Sequence, residues 1–191
     1  MKKLYPSFAP PETWRGNIQE EITEDEWKKL RLIIRNRDNY TCQYCNFRAE
    51  KWQICHHIDG NPNNNSHNNL EIVCPMCNLI HHAGQGCAVQ GVVDLYEESK
   101  FSQNEIIQIT RKMRAESKTD EEIINFLGLE NKVPFEMNRE YLQNLFGFVT
   151  SRTANEWKTQ KSLEYGYEVA SKDLLNDKNT KFSNTLLNQY F

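Results

Sequence analysis

A chain of 191 residues with 38% hydrophobic and 26% charged residues is long enough for one ordinary domain, or for a small stapled module with an extension of similar size. A mean hydropathy of −0.77 with 11% aromatic residues describes a polar but foldable protein and excludes a disordered one. The net charge of −3 and pI near 6.0 exclude coating of nucleic acid by charge alone, so any such contact must be local.

Residues 1–22 hold three of the six prolines and read as an extended arm able to pack through Tyr5, Phe8 and Trp14. Two lysines near the start are followed by no apolar stretch, and no window of about 18 apolar residues occurs, so neither a secretory signal nor a membrane span is expected and a cytoplasmic location is. Thr23-x-x-Glu26 has the capping-box pattern, and Trp27, Leu30, Ile33 and Ile34 follow at helical spacing, which predicts a helix over about 24–36.

From Tyr40 to Ala83 the pattern turns to short strands and tight turns: Cys42-x-x-Cys45, a strand from Trp52 to Ile58, a loop rich in Asp, Gly, Asn and Pro, and a strand from Leu70 to Val73. Cys74-x-x-Cys77 makes a second turn, and Asn78 to His82 starts a short helix ended by Gly84 and Gly86. Beyond Gly91 the chain reads as mainly helical, with helices from Ser102 to about 113 and over about 119–127, 135–148 and 153–175. The organisation is thus an arm (1–22), a module (23–116) and a helical extension (117–191), in the α+β class.

Cys42, Cys45, Cys74 and Cys77 form two Cys-x-x-Cys turns, each able to present two thiolates to one ion, and the 28 residues between them suffice for a hairpin whose ends return to one point. Structural Zn²⁺ is the expected occupant, since a reducing compartment favours metal thiolates over disulfides. Cys55 and Cys87 have no partner at metal spacing and read as packing residues. Tyr40, Tyr44, Phe47 and Trp52 are expected to cover the zinc knuckle.

The stretch RDNYTCQYC, CHHIDGN, NNLEIVC and CPMCNLIHH, within residues 30–83, resembles the HNH endonuclease family. That resemblance implies a zinc-stapled ββα-metal fold, His57 as general base, Asn69 as the asparagine that ties down the loop, and Asn78 in the final motif position, where it stands in for a histidine as a weaker metal ligand. Asn78 and His82 lie four apart, so a helix puts both on one face, and His56 is the natural third ligand of a catalytic cation. His81 is the competing choice for His82, and His67 reads as solvated. Imidazole, amide and water suit Mg²⁺ or Mn²⁺, with Ni²⁺ or Zn²⁺ as further options. Because consecutive side chains of a regular strand face opposite sides, the strand must end or bulge at His56-His57, and the Asp59-Gly60-Asn61-Pro62 turn provides for that.

In the last third, Glu121 to Leu129 followed by Phe135 to Val149 has the Leu-Gly-Leu turn of a helix-turn-helix, with Arg139 as its one strong base reader; a packed helical hairpin is the plainer alternative. Helices around Trp157 and Tyr165 are a possible protein-partner surface. The same cysteine and loop motifs also look like the zinc-binding HNH-fold subunit of the Dot/Icm type IV coupling complex, whose role is that of an adaptor; the chain departs from that pattern through His56-His57 and Asn78. The expectation is a metal-dependent endonuclease acting on nucleic acid, DNA in the first instance, with the catalytically silent adaptor as the alternative.

Overall fold

The computed structural model describes residues 1–9 and 22–153. Trp14, Trp157, Tyr165 and the helix expected over 153–175 lie outside the described residues. Helix α1 (Glu24–Arg37) starts where expected, because Thr23 accepts from the Glu26 amide while Glu26 accepts from the Thr23 amide, with three acidic residues in the first turn and Arg35 and Arg37 in the last. Leu30 and Ile34 are buried against Leu70 and Ile72, whereas Ile33, counted with the apolar face, is about half exposed. The helix end is locked onto the next element: Arg37 donates to the carbonyls of His67 and Leu70, and Asp38 accepts from the Ile72 amide.

Asn39 and Tyr40 both take left-handed backbone angles, which reverse the chain into the first cysteine turn. Strands β1 (Ile54–His57) and β2 (Leu70–Val73) pair antiparallel, from Ile54 opposite Val73 to His57 opposite Leu70. The first strand begins two residues later than expected because Trp52 sits at φ 67°; its ring is 58% exposed and does not cover the cysteines, unlike Tyr44 and Phe47. Helix α2 (Pro75–His81) starts earlier than expected: the Cys74 sulfur accepts from the Cys77 amide, and Pro75 occupies the first turn, where its missing N–H costs nothing.

Among the described residues, the stretch beyond Gly91 is not mainly helical. Strand β3 (Val93–Glu98) is the centre of a three-stranded antiparallel sheet flanked by β4 (Glu130–Val133) and β5 (Phe146–Val149). Helices α3 (Gln103–Ala115) and α4 (Asp120–Leu127) form as expected, each with a capping box. The helix-turn-helix does not. Gly128 does end α4 in a left-handed cap, but the chain then pairs with β3, Pro134 blocks a continuing helix, and α5 (Arg139–Gln143) is a single short turn. The Phe146-Gly-Phe-Val run, read as helix, is a strand because Gly147 is clasped by both ends of the buried Gln103 amide and lies where a Cβ would meet the Ile80 side chain. Val93, Leu95 and Val149 pack with the cysteines and α2, while Tyr96 and Phe148 pack with α3 and α4.

The first nine residues bind this assembly together. Leu4 is buried, the Lys2 amide bonds the Gln43 carbonyl, Leu4 is held by Asn104, and Ser7 exchanges backbone hydrogen bonds with Ile80 and Ala83 at the end of α2. No helix among the described residues is long and apolar enough to cross a membrane.

Candidate functional site

The sulfurs of Cys42, Cys45, Cys74 and Cys77 lie within 4.8 Å of one another, all buried. Cys45 and Cys74 are 3.6 Å apart, close to the ~3.8 Å that a tetrahedron with 2.3 Å metal–sulfur bonds requires. Backbone bonds set this geometry before any ion does: Cys42 donates to the Phe47 carbonyl and Asn46, at φ 59°, donates back to Cys42, while Gln53 clamps the loop from behind through the carbonyls of Tyr40 and Phe47. Hydrogen bonds from the other three cysteines push the Cys42 thiol down, whereas Cys74 and Cys77 are pushed up by the same neighbours. Four buried sulfurs can shed their protons together only around a cation, and this group can hold a metal ion such as zinc. Arg111 adds positive charge at the edge, donating to the Cys74 sulfur at 3.2 Å with its guanidinium 3.7 Å over the Phe47 ring. Cys55 and Cys87 pack against apolar clusters, and burial pushes the Cys55 thiol up to about 11.

The imidazoles meet on the far side of the hairpin. His56 and His57 face opposite ways, as a regular strand requires, and β1 ends there without a bulge, the Gly60 amide turning back onto the His57 carbonyl. His56 points toward α2, where its ring lies 4.8 Å from that of His81 and 5.4 Å from that of His82. His57 stacks at 5.6 Å on Trp27 of α1, and its Nε2 is 3.0 Å from the Asn65 side-chain oxygen. With that nitrogen donating, Nδ1 is the basic one. Burial lowers the pKa of His57 and takes His81 and His82 down to about 3, so these rings are neutral at pH 7.

His56, His57, His81 and His82 all border one open cleft with about 360 Å³ of free space, together with the turn at Ile58–Gly60, Ser7 to Ala9 of the arm, and Arg139. Nδ1 of His56, Nε2 of His81 and Nδ1 of His82 are buried without a hydrogen-bond partner. Such orphaned nitrogens are costly unless something else satisfies them. Among the described residues only the cysteines bring three or more Cys, His or carboxylate donors within 4.8 Å, so a cation in the cleft needs the rings to turn.

Asn69 ties down the loop: its amide donates to Asp59 and to the Asn64 carbonyl, and its oxygen accepts from the Asp59 amide. His67 is exposed. Of the expected cation ligands, His56 and His82 come together, but His81 is at least as close to His56, and Asn78 does not line the cleft. Helix geometry explains this: α2 ends at His81 and His82 is its cap, so both project from the frayed last turn.

Sequence reasoning missed Glu71. It is buried opposite His56 on β2 and receives the Tyr44 hydroxyl at 2.7 Å and the Lys2 ammonium at 2.5 Å, with His56 Nδ1 at 3.7 Å. Burial alone would raise its pKa, yet His56, Lys2 and Tyr44 win and bring it down to about 2. A charged residue inside the otherwise apolar Leu-Glu-Ile-Val strand was the signal available in the sequence.

No family model matches the chain. A stretch of 70 residues, 37% of the chain, is 38% identical to the Type 4 apparatus protein DotN of Legionella pneumophila. The match spans about a third of that relative's length, 32%.

Proposed function

We propose that the β1–β2 hairpin and α2 form an HNH-type ββα-metal unit, stapled by Zn²⁺, and that the chain is a metal-dependent endonuclease hydrolysing phosphodiester bonds of nucleic acid, DNA in the first instance. The observation that carries this reading is the cleft itself: four histidines border it, and His56, His81 and His82 each have a buried ring nitrogen left without a hydrogen-bond partner. His56, with His82 or His81, would hold a Mg²⁺ or Mn²⁺ ion, and the Glu71 carboxylate, 3.7 Å from His56 Nδ1, would fix that ring once the two close to hydrogen-bond distance, as carboxylates do for metal-binding histidines. A bound cation supplies charge stabilisation for the phosphate and the departing 3′-oxygen. His57 takes the proton of the attacking water on Nδ1 while Asn65 holds its other nitrogen and Trp27 its plane. The water oxygen bonds to phosphorus, the bond to the 3′-oxygen breaks, and that oxygen leaves with a proton from solvent. Asn69 keeps the loop that carries Asn65 in register.

The test is plasmid nicking by the purified chain with Mg²⁺, Mn²⁺ or Ni²⁺. EDTA-sensitive nicking that His57→Ala loses supports the reading. A second reading, a catalytically silent zinc-braced adaptor in a type IV secretion complex, is favoured by the similarity to DotN. Equal, EDTA-insensitive background from wild type and His57→Ala would assign the chain to that class.

A further inference from the structure

The water-activating chemistry leaves one basic side chain of the cleft without a role. Arg139 reaches it from α5, outside the stapled module, and lines it together with the histidines of β1 and α2. Its guanidinium lies 5.1 Å from the Phe8 ring, and its one hydrogen bond, to the Phe8 carbonyl, is long at 3.5 Å. Among the described residues it has no carboxylate partner within ion-pair distance. Nor does the fold need it: Leu142 anchors α5 in the core, Asn138 caps it, and Arg139 is exposed.

The cleft is short of positive charge elsewhere. Among the residues that line it, Arg139 is the one lysine or arginine. The cleft's one carboxylate, Asp59, is turned into its own loop, where Asn69, Asn64 and the Asn61 amide hold it. Space is free beside that loop, since a side chain built on Gly60 would meet nothing within 4 Å.

We propose that Arg139 is the phosphate anchor of the cleft, gripping a backbone phosphate of the nucleic-acid strand from the wall opposite His56 and His57, with the Phe8 ring holding the guanidinium plane in place. This rests on the hydrolytic reading of the same cleft. A planar guanidinium whose one hydrogen bond is long keeps an edge free for a phosphate, which accepts two parallel N–H bonds. The arm and the appended sheet then become the second jaw of the site: Ser7 fixes the arm to the end of α2, and Phe8 carries the contact to Arg139.

The experiment measures binding of a fluorescein-labelled DNA duplex to the full chain by anisotropy across a salt series, in the His57→Ala background to prevent turnover. Arg139→Gln should weaken binding about tenfold and reduce the slope of log K against log salt by about one, the loss of a single phosphate contact. Arg139→Lys should keep the slope and part of the affinity. Unchanged affinity and slope in Arg139→Gln, or no duplex binding by the parent chain, would overturn the proposal. Nicking by the chain with an intact His57, run in parallel, separates the two ideas: normal nicking with unaltered Arg139→Gln binding removes the anchor alone, and lost binding without any parent nicking keeps the anchor and removes the hydrolysis.

Discussion

The two clusters of potential metal donors differ in how far the backbone has already converged them. The four sulfurs sit on two tight turns whose amides and carbonyls are mutually bonded, are fully buried, and lie within 4.8 Å of one another. The imidazoles come from the end of a strand and the last turn of a helix, line an open cleft, and stop short of that convergence. A site that braces a fold must be closed and rigid, whereas one that admits a substrate must keep open positions and give its ligands some freedom. On the proposed reading, the sulfurs do the bracing and the imidazoles the chemistry.

The largest test of that division removes the brace. Cys74→Ser, or a strong chelator, is expected to unfold the stapled hairpin outright, because residues 40–83 have little apolar core of their own beyond what the cysteines share with Ile80 and the sheet. Loss of about one zinc per chain by elemental analysis should accompany loss of the near-ultraviolet circular dichroism signal. A chain that kept its fold and thermal midpoint without zinc would break the comparison.

On the other side, His57→Ala should reduce nicking by roughly 10²- to 10⁴-fold, the ordinary contribution of a general base, while zinc content and the folding transition stay put. Wild-type rates in the variant would strip the imidazole cluster of its catalytic role and leave the brace untouched.

Legibility in the sequence follows the same division. Cys42, Cys45, Cys74 and Cys77 could be read at once because two residues per turn and one hairpin between turns are local facts that spacing encodes. The capped helices α1 and α3 were readable for the same reason, each cap being a pattern of four residues. The sheet was not. Strand β3 is buried on both faces over most of its length and so lacks alternation, β4 fell in the gap between two expected helices, and β5 was claimed by helical periodicity that only pairing with β3 overrides. For the same reason Arg139 was offered as a base reader on a recognition helix, where the chain forms a helix of only five residues. Within the cleft, His56 and His57 were legible as a pair, but the choice between His81 and His82 depended on where α2 frays, and Asn78 depended on a helical face that turns away from the cleft.

Glu71 stands behind the imidazole cluster as Arg111 stands behind the sulfurs, and it gives a graded test of whether the two clusters are independent. Glu71→Gln keeps the shape and the Tyr44 hydrogen bond but removes the charge that faces Lys2 and His56. The expected cost is about 1–3 kcal/mol by denaturant titration, moderated because the Lys2 ammonium is half exposed and can return to water. Mn²⁺ affinity measured calorimetrically should fall with it, and zinc content should not. A fall in zinc content would mean that the clusters share one scaffold rather than two.

The smallest effect belongs to a carboxylate remote from both clusters. Asp120 opens α4 and joins it to the end of the sheet, accepting from Arg114 at 2.7 Å and from the amide and hydroxyl of Ser151, while Arg114 also reaches the Val149 carbonyl. Burial would raise its pKa, but the bonds from Ser151 and Arg114 prevail and lower it from 3.8. A carboxylate whose folded pKa is depressed contributes stability that is complete above its unfolded value and is lost as pH falls through the folded one. Asp120→Asn should therefore cost about 1 kcal/mol at pH 7, and the gap to wild type should narrow only below about pH 4. Zinc content and nicking should be unchanged at every pH where both proteins are folded, because the sheet meets the cleft through Arg139 and the core, not through this carboxylate. If Asp120→Asn instead altered nicking in proportion to its loss of stability, the cleft would be drawing its shape from the whole sheet, and the separation of brace from chemistry would stop at the cysteines.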